Sequence, residues 1–235
     1  MNTFFCLRWT KHYAGRASPQ ESQMNNTSVQ SIVSEAPVVA IVRRPKVDPV
    51  RCVEHLFQAG IRLVEITMDT AGAVDILTSF RSRVPSDALL GAGTVTDVGR
   101  AEAALAAGAT FLVTPNLNLD VIRIARAHRV PIMPGAMTPT EIWNAAAAGA
   151  DYVKVFPAST LGPGFFREIR GPFGHIPLMA TGGVNLENAR DFITFGVDAL
   201  GVGGALIPKA NDEFDRCTEI AQRLLAIVRG ARATR

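Results

Sequence analysis

The sequence is poor in cysteine, and this shortage excludes a disulfide-based fold. Its 235 residues include three cysteines, an odd number spread widely along the chain. Cys6, Cys52 and Cys217 fit no metal-ligand spacing and are interpreted as free thiols in a reducing compartment, which predicts a cytoplasmic location. The four histidines are scattered as well, so a zinc site built by the protein is not expected.

Long apolar runs, charge and aromatic rings are also scarce. No apolar run reaches the roughly 18 residues that a membrane-spanning helix needs, so no membrane partner is expected. Charged residues make up 19% of the chain and hydrophobic residues 48%, which excludes a disordered protein. Because aromatic residues are only 7%, the predicted core is mostly aliphatic.

Acidic residues are absent from the first 20 positions, where Arg8, Lys11 and Arg16 account for the whole net charge of +3. The rest of the chain has no cationic cluster, so nucleic acid is not an expected partner. Residues 1–30 lack both a helical or strand period and a secretory signal, and they are predicted to be a disordered extension. Three interpretations stay open: a misassigned start with Met24 as the first residue, a translated extension, or a targeting segment.

β-rich runs recur roughly every 23 residues through the predicted domain, residues 31–235. They begin near Val38, Arg62, Leu89, Ala109, Pro131, Asp151, Pro177 and Val197. Helix-forming stretches separate them, and this alternation predicts βα units around a parallel sheet. Eight such units in about 200 residues predict a single α/β domain, a (β/α)8 TIM barrel. An open doubly wound sheet, the main alternative, would leave two runs unexplained.

Turn residues agree with this alternation. Gly60, Gly108, Gly149 and Gly196 each separate a helical stretch from a β-rich run, where a left-handed helix cap is expected. The segment from Thr138 to Glu141 has the pattern of a capping box, with proline at the first helical position.

Two charged residues interrupt runs that should be apolar, because parallel strands are buried on both faces. Glu65 lies within Leu63–Thr67, and Lys154 lies within Tyr152–Phe156. The apolar neighbours of each suit the helix-facing side, so strand alternation points both charged side chains into the barrel. Lys154 is one of four lysines, against 20 arginines, and it alone is embedded in an apolar run.

Burial should lower the pKa of Lys154 and leave some neutral amine near pH 7. Such an amine can attack a ketone and form a Schiff base, while Glu65 transfers protons. Catalytic roles are therefore predicted for Lys154 and Glu65. A buried ion pair that only fills the barrel is the structural alternative. The spacing does not separate an aldolase from other Schiff-base enzymes.

Glycine pairs end the last two β-rich runs, at Gly182–Gly183 and Gly203–Gly204. In barrels the loops after these strands often bind phosphate through backbone N–H groups. These glycines and the preceding Thr181 are therefore predicted to bind substrate. Gly91–Thr94, Pro115 and Pro134–Gly135 end the third, fourth and fifth runs at the same rim.

These motifs occur in one order and resemble those of the KDPG/KHG aldolases, which act on 2-keto-3-deoxy-6-phosphogluconate and 4-hydroxy-2-oxoglutarate. The resemblance covers about residues 31–226. It rests on Leu63–Thr67, Gly91–Val95, Val153–Ala158, Gly171–Phe173 and Thr181–Gly183.

The resemblance implies a metal-independent class I aldolase that needs no cofactor, a lyase of carbohydrate metabolism that forms homotrimers. Lys154 matches the Schiff-base lysine, and Glu65 matches the general acid/base. Thr94 matches a threonine beside the pyruvyl part of the substrate, and Arg43 matches an arginine that contacts substrate. Pro115 belongs to the same substrate-binding set, and the glycine loops match the phosphate end. The implied reaction cleaves a phosphorylated 2-keto-3-deoxy acid reversibly into pyruvate and glyceraldehyde 3-phosphate.

Two positions depart from the family pattern. Asp69 stands where gluconate-type members often have an arginine that helps to hold the keto-acid carboxylate, and a carboxylate there should repel an anionic substrate. Arg43 could take over that contact, or Asp69 could turn outward or bind a hydroxyl. Ala205 lacks the hydroxyl that a serine supplies to phosphate in several members. Both departures leave the galactonate epimer and 4-hydroxy-2-oxoglutarate open as substrates.

Two other functional classes remain. A barrel isomerase or epimerase would use a glutamate base and a phosphate site without an imine. A non-catalytic barrel would bind a phosphorylated acid without turnover.

Overall fold

A computed structural model describes residues 27–233. The strands are β1 (Val38–Val42), β2 (Leu63–Thr67), β3 (Leu89–Gly93), β4 (Leu112–Val113), β5 (Ile132–Met133), β6 (Gly135–Ala136), β7 (Val153–Val155), β8 (Leu178–Thr181) and β9 (Ala199–Val202). The helices are α1 (Val29–Glu35), α2 (Pro49–Gln58), α3 (Ala73–Ser79), α4 (Val98–Ala107), α5 (Leu119–Ala127), α6 (Pro139–Ala147), α7 (Ala158–Phe173, kinked at Gly162), α8 (Ala189–Thr194) and α9 (Phe214–Ala233). Across 27–233, no helix combines the length and apolarity that crossing a membrane requires.

The strands form one parallel sheet that closes on itself. Their order is β5-β4-β3-β2-β1-β9-β8-β7-β6, and its two end strands are separated in the chain only by Pro134. β5 pairs with β4, whereas β6 pairs with β7. β5 and β6 are thus two halves of one barrel strand, interrupted by a residue that has no N–H to donate. The predicted (β/α)8 barrel is confirmed, and the open sheet is wrong.

Helix ends follow the turn chemistry expected from the sequence. Gly60, Gly108, Gly149 and Gly196 all have φ between 95° and 105°, the left-handed region expected of a glycine cap. Thr138 and Glu141 form the expected reciprocal capping box at the start of α6.

Three arginines repeat one contact on the side of the barrel where the strands begin. Each arginine lies in a helix or in the turn that follows it, and its guanidinium donates to a carbonyl group at or just after the end of the next helix. The pairs are Arg81 to Ala107, Arg126 to Gly149 and Arg170 to Gly196. A guanidinium carries several N–H groups, so it can satisfy carbonyl groups that lack partners inside their own helix.

Helix α1 closes the barrel at the end where the strands begin. Its apolar face, made by Val29, Ile32 and Val33, packs with barrel-lining residues such as Leu63 and Phe111. This helix was not predicted from the sequence, because it is only seven residues long and only these three side chains show its helical period. α1 includes residues that the prediction assigned to the extension, whereas residues 1–26 lie outside the described part, where the extension stays a prediction.

Ile32→Ala should therefore destabilise the barrel although it lies far from the catalytic candidates. We expect a loss of about 2–5 kcal/mol of unfolding free energy, the range for a truncated core isoleucine. Urea denaturation measures it, with the exposed Glu35→Ala in the same helix as the matched control. Equal stability of the two variants would contradict the packing role of α1.

Candidate active site

A cavity of about 1050 Å³ opens at the carboxyl ends of the strands. All the residues predicted to form the site line it: Arg43, Glu65, Thr94, Pro115, Lys154, Thr181, Gly182, Gly183, Gly203 and Gly204. The structure thus brings the sequence-based candidates together in one place. This position matches the face on which barrels carry their active sites.

Lys154 and Glu65 lie on opposite walls of the barrel. In the sheet order three barrel strands separate β2 from β7 in either direction, counting β5 and β6 as one. Both residues are buried, with exposed fractions of 6% for Lys154 and 1% for Glu65. No ion pair joins them within residues 27–233, and neither carboxylate oxygen of Glu65 has a hydrogen-bond partner from the protein. This geometry does not fit a structural ion pair.

Burial shifts both groups toward their neutral forms. It lowers the pKa of the Lys154 amine, the nearby charge of Arg43 lowers it further, and Glu65 opposes the shift. Burial also raises the pKa of Glu65, against the opposing charges of Lys154 and Arg43. A neutral amine is a nucleophile, and a carboxyl group with a raised pKa holds its proton more readily and can serve as a general acid as well as a base.

The carboxyl group of Glu65 has room only because Gly93 has no side chain. A Cβ built at position 93 would lie 2.3 Å from Glu65 Oε1 and 2.7 Å from its Cδ. Gly93 ends β3, next to β2. The glycine therefore sets the place of the acid/base candidate, a role that the motif Gly91–Thr94 did not disclose.

A second close approach occurs on the wall between Lys154 and the glycine loops. The hydroxyl of Thr181 is buried without a protein partner, and a Cβ built on Gly201 would lie 2.3 Å from it. The Lys154 ammonium position is 5.4 Å from the centre of the Phe156 ring, which also lines the cavity. Thr181 thus contributes an unpartnered hydroxyl to the wall of the cavity that Lys154 also lines.

The loops after β8 and β9 expose backbone to the cavity. Gly182 and Gly183 have φ of 94° and 75°, a conformation that leaves their backbone in a tight turn. A Cβ on Gly183 would lie 2.4 Å from that of Ser159, so the loop rests directly on the start of α7. Ala205 lines the same end of the cavity and supplies no hydroxyl.

Thr94 has a strained backbone at the cavity rim. Its φ is 55°, which a β-branched residue rarely adopts because of steric cost. Arg44, also on the rim, has φ of 42°. Strain of this kind collects at functional sites, where the surrounding structure enforces it.

Asp69 does not line the cavity but binds the two arginines that follow β1. Its Oδ2 accepts hydrogen bonds from Arg43 Nε at 3.1 Å and from Arg44 Nε at 2.9 Å. Burial pushes the pKa of Asp69 upward, but the Thr67 hydroxyl and the two guanidinium groups outweigh it and bring the pKa down to about 2. The repulsion expected at this position is therefore offset by two positive charges.

Three cationic rim residues were missed, namely Arg44, Lys46 and Lys209. Every lysine of residues 27–233 lines this cavity, although lysine is rare in the chain. Scarcity was used to single out Lys154, and the same signal could have identified the other two. Their charge gives the cavity a strongly cationic lining, in which Glu65 is the one carboxylate among the described residues.

Comparisons with known proteins agree with this geometry. The family model described as KDPG and KHG aldolase matches residues 29–220. The chain is 36% identical to a 2-dehydro-3-deoxy-phosphogluconate aldolase of Treponema pallidum (strain Nichols), covering 82% of this chain and 92% of that protein. It is 35% identical to a probable 2-dehydro-3-deoxy-6-phosphogalactonate aldolase of Rhizobium meliloti (strain 1021), covering 73% and 82%. The solved structure described as "Native KDPGal structure" superposes with a TM-score of 0.78 at 30% identity, covering 84% of this chain and 96% of that one.

Gly93→Ala should impair activity while leaving the barrel folded. The added methyl group must displace the Glu65 carboxyl, and a shift of about 1 Å can reduce turnover about 100-fold. Steady-state kinetics and circular dichroism measure the two effects. Gly164→Ala is the matched control, because a Cβ there meets nothing within 4 Å. Full activity of Gly93→Ala would show that Glu65 needs no fixed position.

Proposed function

We propose, because this chain belongs to the KDPG and KHG aldolase family, that it cleaves phosphorylated 2-keto-3-deoxy acids through a Schiff base on Lys154. The chain is an aldolase, a carbon–carbon lyase of the α/β-barrel type. The observation that carries the proposed mechanism is the burial of Lys154 and Glu65 on opposite walls of one cavity, without an ion pair between them.

The neutral amine of Lys154 attacks the C2 carbonyl of the substrate. Loss of water from the resulting carbinolamine leaves an iminium, which draws electrons from the neighbouring carbon. Glu65 removes the proton of the C4 hydroxyl, directly or through water, and the C3–C4 bond breaks. The aldehyde leaves, the enamine takes up a proton at C3, and water hydrolyses the imine to pyruvate and free Lys154.

The rest of the cavity supports the two ends of such a substrate. Arg43, Thr94 and Pro115 line the part of the cavity assigned to the keto acid. Thr181 and the loops Gly182–Gly183 and Gly203–Gly204 are assigned to the phosphate end, because glycine lets backbone N–H groups approach an anion closely. Lys209 adds a positive charge beside these loops and can compensate for the missing hydroxyl at Ala205.

The leading substrate is 2-keto-3-deoxy-6-phosphogluconate, which yields pyruvate and glyceraldehyde 3-phosphate. Two relatives point to the galactonate epimer, and that substrate needs the same chemistry at C2. The cationic lining favours both phosphorylated acids over 4-hydroxy-2-oxoglutarate, which would release glyoxylate. Values of kcat/KM for the three acids decide among them.

A homotrimer and a cytoplasmic location complete the proposal. The trimer rests on the family resemblance. The location rests on Cys52 and Cys217, which are buried free thiols and fit a reducing compartment.

Borohydride reduction in the presence of pyruvate tests the Schiff base. Peptide mass mapping should find a pyruvate-sized adduct on Lys154. The adduct should be lost in Lys154→Met and retained in Lys209→Met, the matched control at the cavity rim. A folded protein without the adduct would favour a barrel isomerase or a binding protein instead.

The rate of this trapping should depend on pH in a defined direction. Lys154 reacts only when neutral, so the rate falls as pH drops through its pKa. Because burial lowers that pKa, the fall should occur below the value of about 10.4 for an exposed lysine. Trapping rates between pH 5 and pH 10 measure it, and a midpoint near that of free lysine would contradict a desolvated amine.

Glu65→Gln keeps the size of the side chain but removes its proton transfer. We expect cleavage to slow by about 100- to 10,000-fold, the usual contribution of a general acid/base. Circular dichroism should show an unchanged fold, since the carboxyl oxygens have no protein hydrogen bond to lose. Turnover within twofold of the unmodified enzyme would assign proton transfer to another group.

A further inference from the structure

The loops that follow β1 and β2 are joined through one carboxylate. Arg43 and Arg44 both direct their guanidinium groups to Asp69 Oδ2, with the nearest nitrogens at 3.0 Å and 2.6 Å. All three residues come from rim loops, but only the two arginines line the cavity. Asp69, which does not line the cavity, thus links the two cavity-lining arginines through one carboxylate oxygen.

Threonine hydroxyls fix the same loops to each other. The backbone N–H of Arg44 donates to Thr70 Oγ1 at 3.0 Å, and Thr70 Oγ1 lies 3.0 Å from Thr67 Oγ1. The backbone of Arg44 has a positive φ of 42° in this arrangement. A strained residue that is held by both its backbone and its side chain has one preferred position, so the arginine pair is preorganised.

The paired arginines retain positive charge and free donor capacity. Asp69 is ionised at neutral pH, because its pKa is about 2. One negative charge between two guanidinium groups leaves a net charge of +1. Each guanidinium has five N–H donors, of which the contacts with Asp69 Oδ2 occupy only some. Arg43, Arg44 and Asp69 together, called the arginine unit below, can therefore bind a planar anion where the two arginines line the cavity.

The arginine unit lies near the reacting groups Glu65 and Lys154, and not only near the glycine loops assigned to phosphate. Asp69 follows Glu65 along the same strand and its loop. The charge of Arg43 acts on both Glu65 and Lys154. In a 2-oxo acid the carboxylate is bonded directly to the carbon that Lys154 attacks. An anion receptor near both residues therefore fits the carboxylate better than the distant phosphate.

We propose that Asp69 is a positioning residue that holds Arg43 and Arg44 as a paired receptor for the substrate carboxylate. This inference rests on the proposed Schiff-base function. It assigns Asp69 and Arg44 to substrate specificity: the arginine unit selects 2-oxo acids over ketones of similar shape that lack the carboxylate.

Pyruvate trapping tests the receptor, because pyruvate carries the carboxylate and no phosphate. Asp69→Asn should raise the pyruvate concentration that gives half-maximal trapping about tenfold, the effect of weakening one hydrogen bond to a charged group. The limiting trapping rate at saturating pyruvate should stay within about twofold. Arg44→Ala should raise the half-saturating concentration at least as much, and Arg44→Lys should restore part of the loss. Asp87→Asn removes an exposed carboxylate from Arg62 outside this cavity and should change neither value.

Each other outcome has a definite meaning. If Asp69 merely competes with substrate for the arginines, Asp69→Asn will lower the half-saturating concentration and overturn the proposal. If trapping is unchanged but the KM for glyceraldehyde 3-phosphate rises in the synthetic direction, the arginine unit binds phosphate and the assignment to carboxylate is wrong. If the unmodified protein gives no adduct at all, the Schiff-base function itself fails. If the adduct forms and Asp69→Asn leaves the half-saturating pyruvate concentration unchanged, only the positioning role of Asp69 is wrong. Should Asp69→Asn misfold, the two Arg44 variants decide alone.

Discussion

The structure depends on keeping a buried amine and a buried carboxyl group apart. A lysine and a glutamate inside a low-dielectric barrel attract each other, and pairing would offset part of the cost of desolvating the two charges. Here β2 and β7 stand across the ring from each other, and no ion pair joins the two side chains within residues 27–233. Each group therefore keeps the reactivity that pairing would remove. The cost of burying them is carried by the surrounding aliphatic core.

Glycines inside the barrel make room for its buried polar side chains. Gly93 and Gly201 have no side chain at the points where Glu65 and Thr181 need space, so the polar groups can lie inside the ring instead of being pushed toward its mouth. Phe111 fills the layer below, where a Cβ at Gly91 would lie 2.6 Å from its ring. The interior is thus layered, with an apolar floor that excludes water beneath a polar reactive level.

Strand alternation and turn chemistry carried most of the prediction. A period of two is enough to point Glu65 and Lys154 inward, and glycine caps reveal where helices end, because both are local properties of the chain. The interruption of one strand at Pro134 was not predictable in this way, since it reflects how β5 and β6 divide between two neighbours. The contact between Asp69 and the arginines also escaped prediction. It joins residues about 25 positions apart, and the sequence around Asp69 does not show which other loop will bring a positive charge to it.

Helix α1 has a practical consequence for handling this enzyme. The helix covers the end of the barrel where the strands begin, whereas the cavity opens at the other end. Thr27, the first described residue, lies at this end of the barrel, where its hydroxyl donates to the Ser86 carbonyl in the loop before β3. An enzyme attached to a bead or an electrode through an exposed residue of α1, such as Glu35, would therefore present its open mouth to the solution, and the support would not obstruct the diffusion of substrate.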